Sequence, residues 1–299
     1  MMEHFMMVTD FYRLIFHTKT YKLSLNGGCT CPTRDGSLGR GGCIFCSQAG
    51  SGDFVPAAGL DIPGQIAEAK SLLAPKLKNS TSVKYIAYFQ NFTNTYGNQD
   101  RLRANWEAAI SCPDVVGLAL GTRPDCLSEE CLKLLGQLAD RTFLQVELGL
   151  QTSSNVTADY IRRGFETQVY NQSVEKLHKA NPKIHVVTHI IFGLPGENRA
   201  QMMDSVQTAV AAGSDGIKIT CLYVLKHTDL ESDFAAGKFS CLTMGQYFDL
   251  VRDALKLLPP DMVVHRLTGD PPKSLIIEPK WTMNKKVVLN EMNKIISSC

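Results

Sequence analysis

Apolar residues along the chain gather into short runs, six of which read as strands, near residues 21–26, 83–89, 115–120, 143–149, 184–192 and 216–224. Between them apolar positions recur with a helical period, near 63–77, 100–111, 128–139, 167–180 and 199–212. The segment from Ser128 shows the signal. Ser128 can cap, Glu129 and Glu130 suit the positive end of a helix dipole, and Cys131, Leu134, Leu135 and Leu138 share one face. Strand and helix alternate at a spacing that predicts parallel βαβ units.

The strands are not apolar on both sides. In the fourth, Leu144, Val146, Leu148 and Leu150 alternate with Gln145, Glu147, Gly149 and Gln151. A strand in an open, doubly wound sheet packs helices on both faces and reads apolar throughout. A polar face suits instead the interior of a barrel that holds a ligand. His185 and His189 alternate in the fifth run, and Lys218 and Thr220 share one face of the sixth. The pattern predicts an α/β fold, an incomplete (β/α)6 TIM-like barrel open at one side, over residues 21–239. Residues 1–20 read as an N-terminal extension. Beyond Phe239 the rhythm stops. A helix over 243–258, a strand over 262–267 and a last helix over 283–297 read as a small C-terminal α/β subdomain, residues 240–299.

Composition narrows the class. With 299 residues, 44% of them hydrophobic, the chain can bury a large core and is no disordered segment. No apolar run approaches the roughly 18 residues of a spanning helix, and residues 1–22 lack the order of a secretory signal. The expectation is a cytoplasmic protein without membrane contact. A net charge of only +2 means that any nucleic-acid contact needs a local patch. Between His265 and Lys286 such a patch exists: Arg266, Lys273, Lys280, Lys285 and Lys286 outnumber Asp270 and Glu278, and Trp281 lies among them. Phosphates and a stacked base suit that combination. An ordinary solvated face with a packed tryptophan suits it as well.

Four of the ten cysteines, Cys29, Cys31, Cys43 and Cys46, fall within 18 residues. In a large, unsecreted chain such clustering points to metal rather than disulfides. The run Cys31-Pro-Thr-Arg-Asp-Gly-Ser-Leu-Gly-Arg-Gly-Gly-Cys43-Ile-Phe-Cys46 follows the first strand. Its closing CxxC puts two thiolates on one turn, and its glycines let the backbone wrap an anionic centre. Three such ligands suit a [4Fe–4S] cluster with one open iron. All four cysteines would instead make a closed zinc site, in a nucleic-acid-binding protein without redox chemistry. Spacing alone leaves both open.

The cysteine run is followed, in order, by Tyr85-Ile-Ala-Tyr-Phe-Gln-Asn-Phe-Thr-Asn-Thr-Tyr96, Gly121-Thr-Arg-Pro-Asp-Cys126, Glu147-Leu-Gly-Leu-Gln-Thr152, Thr188-His-Ile-Ile-Phe-Gly-Leu-Pro-Gly-Glu197 and Asp215-Gly-Ile-Lys-Ile219. In these six segments together the chain resembles radical S-adenosylmethionine (radical SAM) proteins. More narrowly it resembles the bacterial branch related to the Elongator catalytic subunit, without that protein's acetyltransferase domain. The likeness continues through Val264-His-Arg-Leu-Thr-Gly-Asp270 and Pro279-Lys-Trp-Thr-Met-Asn-Lys285. It implies that Cys31, Cys43 and Cys46 ligate a [4Fe–4S] cluster and that S-adenosylmethionine binds the fourth iron. An external donor such as a flavodoxin or ferredoxin would then drive cleavage of the sulfonium to a 5′-deoxyadenosyl radical. Cys29 departs from the pattern, standing where such proteins carry a bulky apolar residue. By the same resemblance the substrate is tRNA, modified on the side chain of its wobble uridine.

Strand C-termini face the site in barrels. That places Gln90 and Asn91, Thr122 and Arg123, Glu147 and Gln151, and His189 within reach of the cofactor. The resemblance puts the methionyl amine near Gln90 and Asn91, although the usual Gly-Gly-Glu is absent. Arg123 can hold a carboxylate bidentately or pair with Asp125 at the surface, and Glu147 and Gln151 suit ribose hydroxyls or a polar network that fills the barrel. The turn from Gly193 to Glu197 would flank the adenine. Lys218, inward on its strand, needs a buried partner or must snorkel to the rim.

Overall fold

A computed structural model describes residues 5–298, apart from 51, 53–54, 56–58 and 78–81, so residues 1–4 of the expected extension lie outside the described residues. The order begins β1 (Met6–Met7), α1 (Val8–Phe16), β2 (Lys19–Leu25), α2 (Pro32–Asp35), α3 (Ile62–Leu73), β3 (Val83–Phe89), α4 (Gln99–Ile110) and β4 (Val115–Thr122). It continues α5 (Glu129–Ala139), β5 (Phe143–Gln151), α6 (Asn155–Tyr160), α7 (Thr167–Ala180), β6 (His185–Phe192), α8 (Arg199–Ala211) and β7 (Gly216–Cys221). Last come β8 (Val224–Leu225), α9 (Asp229–Ala235), α10 (Met244–Leu255), β9 (Val263–Arg266), β10 (Ile276–Glu278) and α11 (Lys285–Ser298).

Eight strands form one sheet in the order β1-β9-β7-β6-β5-β4-β3-β2, and every pairing in it is parallel. The expected six strands are β2 to β7. The sixth is shorter than its apolar run. It stops at Cys221, and β8 leaves the sheet to pair with β10 antiparallel. At the far edge β9 continues the sheet beside β7, and β1 lies outside β9.

The sheet curls into a half-barrel. Its curvature is visible in side chains from distant strands that touch: Lys22 of β2 and Lys218 of β7 both reach Glu147 of β5. On the outer face Leu144, Val146, Leu148 and Leu150 are fully buried under the helices, each such burial stabilising by about 1.5–3 kcal/mol. The helix at Ser128 forms as its sequence predicts, with Ser128 Oγ accepting from the Cys131 amide at 3.2 Å. Cys131 is fully buried.

Helix α1 closes the lower end, where the parallel strands begin. Its Tyr12 hydroxyl donates to Gln145 Oε1 at 2.9 Å. The Phe11 ring stacks on His185 at 4.7 Å, and Phe16 meets Phe143 edge-on at 5.5 Å. Beside them the Nε2 atoms of His185 and His265 lie 2.8 Å apart. Because α1 packs on both β2 and β9, it crosses the gap that the half-barrel leaves open.

Candidate active site

Leu25 ends β2, and the chain turns into the cysteine loop. Cys31 sits just before the short helix α2, its carbonyl accepting from the Arg34 amide at 2.8 Å. The loop then folds back, with Gly42 N–H donating to Thr33 O at 2.9 Å. Gly42 has φ +80°, and a Cβ there would lie 2.7 Å from Arg34 Nε. Glycine therefore lets the Arg34 guanidinium pass and donate to the carbonyls of Cys46 and Ser47, at 3.2 and 2.7 Å. The CxxC pair closes in a tight turn, Cys46 N–H to Cys43 O at 3.0 Å.

Cys31, Cys43 and Cys46 line the mouth of one cavity of about 460 Å³. Cys31 Sγ accepts from Thr93 Oγ1 at 3.0 Å. Burial pushes the Cys43 thiol up to about 12; Cys46 and Cys31 add to the rise, while Arg123 and Arg34 pull against it. Cys31 and Cys43, their pKa values raised by burial and by the proximity of Cys46, need a cationic centre to become thiolates, and an iron–sulfur cluster is such a centre. The donor set fits. Cys29 faces the other way: it is buried in the main core, does not line the cavity, and burial raises its thiol to about 11. The four-cysteine zinc reading is thereby corrected. Among the described residues no three His, Cys, Asp or Glu side chains converge on a single ion.

Of the residues expected at the strand ends, Gln90, Thr122, Arg123, Glu147, Gln151 and His189 all line the same cavity as the thiols. Asn91 does not. It lies 2% exposed outside the lining, and its Oδ1 has no hydrogen-bond partner among the described residues. The Gly193–Glu197 turn contributes no lining residue either. Arg123 is held by Asp125 through Nε at 2.9 Å and Nη2 at 2.7 Å, and lies over the Phe165 ring at 5.2 Å. Its side chain is 11% exposed, so this is an anchored arginine at the cavity wall. Gln151 has φ +59°, and the missing Cβ of Gly149 makes room for its amide. His189 Nε2 meets Thr220 Oγ1 at 2.9 Å, and burial, with Lys218 nearby, lowers its pKa to about 3. It is a neutral imidazole.

Glu147 has a full set of partners. Lys22 Nζ (2.6 Å) and Gln145 Nε2 (2.8 Å) donate to Oε1, and Tyr88 OH (2.6 Å) and Lys218 Nζ (3.0 Å) donate to Oε2. A carboxylate has about four acceptor positions, so none is left over for the ribose hydroxyls expected there. Burial works to raise its pKa, but the two ammoniums and these hydrogen bonds hold it well below the usual carboxylate range. Lys218 therefore does not snorkel; it finds its buried partner. Sequence reasoning missed Lys22 and Tyr88. For Lys22 the signal was the polar side of β2, where Lys22 and Ser24 alternate with the buried Leu23 and Leu25; Tyr88, inside the apolar run of β3, carried none. Of the two readings of Trp281, the structure shows the packed one: its ring lies 5.6 Å from Tyr247 and its Nε1 donates to Leu242 O at 2.9 Å.

Comparison with known proteins now adds to this geometry. The Radical SAM superfamily model matches residues 39–209, and the Radical_SAM C-terminal domain model matches 214–297. YtqA, an uncharacterized protein of Bacillus subtilis, is 43% identical over 279 residues, 93% of this chain and 85% of that protein. Elongator complex protein 3 of Schizosaccharomyces pombe is 26% identical over 189 residues, 62% of this chain and 34% of that one. A tRNA-2-methylthio-N(6)-dimethylallyladenosine synthase of Dehalococcoides mccartyi is 26% identical over 126 residues, 41% of this chain and 30% of its own length. The solved structure of Methanocaldococcus infernus Elp3 shares the fold, with a TM-score of 0.66 at 17% identity over 92% of this chain. This chain spans 63% of the length of that archaeal structure. No helix among the described residues is long and apolar enough to cross a membrane.

Proposed function

The chain belongs to the Radical SAM superfamily, whose cofactors are a [4Fe–4S] cluster and S-adenosylmethionine, and from that premise we propose how its cavity works and on what. Within the family it lies on the Elongator-like branch. One observation carries the reading: three thiols of one loop and the polar ends of β3 to β6 line a single cavity.

Cys31, Cys43 and Cys46 hold the cluster, and Cys29 stays in the core. When bound, the two cofactors supply one-electron cleavage of a sulfonium and so the means to take a hydrogen atom from a substrate. Arg34 and Arg123 lower the cost of ionising Cys31 and Cys43. Arg123, fixed by Asp125, presents its guanidinium to the methionyl carboxylate. Gln90, Thr122 and Gln151 offer amides and a hydroxyl to the rest of the cofactor, and neutral His189 borders it without adding charge. Asn91 acts from behind the wall. Glu147 anchors Lys22, Tyr88 and Lys218 beneath. The α1 plug keeps water out from below. Electrons come from an external flavodoxin- or ferredoxin-type donor in the cytoplasm.

The substrate in this reading is tRNA, at the side chain of its wobble uridine. Two things support it: the relatives, Elongator complex protein 3 and the synthase of a modified tRNA adenosine, and the cations around the mouth. Arg266 and Asp270 line the cavity, and exposed Lys285 reaches Asp270 Oδ1 at 3.0 Å. The test is anaerobic purification followed by dithionite reduction with S-adenosylmethionine. Iron and sulfide at four per chain with release of 5′-deoxyadenosine are expected of a [4Fe–4S] radical enzyme. No 5′-deoxyadenosine from cluster-replete protein, even with substrate RNA present, overturns the activity. Unaltered wobble-uridine nucleosides in a strain lacking the gene overturn the substrate.

A further inference from the structure

On its β5–β9 side the cavity lining pairs two cations, Lys218 and Arg266, with two carboxylates, Glu147 and Asp270, and a third cation, Lys22, lies behind it. Glu147 is shared by two ammoniums, Lys22 at 2.6 Å and Lys218 at 3.0 Å. Asp270 is shared by Arg266 Nη2 at 2.7 Å and Lys285 Nζ at 3.0 Å. Lys285 is 65% exposed and solvated, so the excess is the one positive charge of the buried Lys22–Glu147–Lys218 trio. Lys218 and Arg266, which line the cavity, are register neighbours on β7 and β9. Lys218 is 12% exposed at its side chain and gives two hydrogen bonds, to Glu147 Oε2 and to Tyr88 OH at 3.2 Å. An ammonium has three donors. Burial lowers its pKa first; Glu147 works to raise it, but Arg266 and Lys22 work against its charge, and the pKa falls. Around it stand Thr220, Tyr88 and the neutral His189, none of which supplies an anion.

The two other cations of the cavity wall, Arg34 and Arg123, belong to the thiol side. They act on Cys31 and Cys43, and Arg123 already has Asp125. The excess therefore lies at the Lys22–Glu147–Lys218 trio, whose cavity-lining cation is Lys218, with Arg266 beside it. A half-buried pair of like charges is costly unless something negative bridges it.

We propose that Lys218 and Arg266 form an anion-binding subsite in the cavity, which takes a carboxylate or phosphate group of the substrate between ammonium and guanidinium. The assignment rests on the reading of this cavity as the enzyme's substrate chamber, and it deepens that reading: the substrate brings an anionic group to the β7–β9 wall. Charge-assisted hydrogen bonds to both cations hold that group.

The test uses the anaerobic, cluster-loaded, full-length protein at fixed low ionic strength. Calorimetric titrations compare uridine, 5-carboxymethyluridine and uridine 5′-monophosphate, in the parent and in Lys218→Met and Arg266→Gln. One anionic nucleoside should bind on the order of tenfold tighter than uridine. The advantage should disappear in either variant while S-adenosylmethionine affinity is kept. Preference for 5-carboxymethyluridine identifies a carboxylate on the base, and preference for the monophosphate identifies a backbone phosphate. Equal binding of all three overturns the subsite. So does an advantage that survives both substitutions, or a parallel loss of S-adenosylmethionine affinity, which would assign these cations to the cofactor. Should none of the three bind, the uridine reading fails on its own, and bare anions decide the subsite. A parent Tm raised by acetate or inorganic phosphate over chloride, and not raised in the variants, upholds it; no rise overturns it.

Discussion

Cys29 and Cys31 stand two residues apart and face opposite ways, one into the apolar core and one into the cavity. Spacing along the chain told which cysteines gather, but not which way each points, because direction depends on how the loop leaves β2. The structural difference gives a clean outcome for iron content. After anaerobic purification Cys29→Ala should keep the parent's iron per chain and Cys43→Ala should lose it; equal loss in both would return Cys29 to the ligand set. Three histidines give a second expectation. Burial lowers the pKa of His185 to about 4, that of His189 to about 3 and that of His265 well below its ordinary value. In the unfolded chain each titrates near 6.5, so the unfolded state binds more protons below that pH. Stability should therefore fall as pH drops from about 6.5 toward 4, by at most about 1.4 kcal/mol per pH unit per histidine. Urea midpoints at pH 7 and pH 5.5 check this. The parent should lose more than His265→Gln, and an equal loss would show that the buried pair is not responsible.

Helix α1 is the element the sequence concealed. Its nine residues carry no side-chain N-cap bond, and the groups that fix it, Phe143, Gln145, His185 and His265, lie far along the chain. Its nine residues do carry a helical period, but so short a run does not say what it packs against, and partners that distant leave no local trace. β9 was concealed differently. Its run was legible as a strand, but a four-residue strand does not announce that it pairs with β7. By contrast the alternation in β5 read true, since inner Gln145, Glu147 and Gln151 and outer leucines are local facts. The plug can be tested at Tyr12, which is 5% exposed. Tyr12→Phe removes one hydrogen bond and should cost about 1 kcal/mol. Tyr12→Ala should cost about 3–5 kcal/mol by opening a cavity among the rings. Urea denaturation at pH 7 measures both, and a loss under about 1 kcal/mol for Tyr12→Ala would mean that the lower end does not depend on α1.

Across the whole molecule one main core joins the barrel to the segment expected to be a subdomain. Tyr247, Val251, Ala254 and Leu255 of α10 and Val264 of β9 belong to the same buried cluster as Val186, Phe192 and Ile219. We propose that residues 240–299 complete the barrel's core while contributing Arg266 and Asp270 to its cavity. Removing them bares the β7 edge and an apolar wall, so the fragment 1–239 should be insoluble or melt without cooperativity. A soluble fragment with a sharp melting transition would show that the barrel stands alone. The clip formed by α1 also has a consequence in time. Tyr12 and His265 rings lie 6.3 Å apart, yet a ribosome makes one near the start of this sequence and the other near its close. Contacts of such long range are slow to form and leave apolar surface waiting. The rings of α1 emerge well before their partner on β9 and are among the last to be satisfied, so during synthesis the cysteine loop is finished while the chamber beneath it still has no bottom.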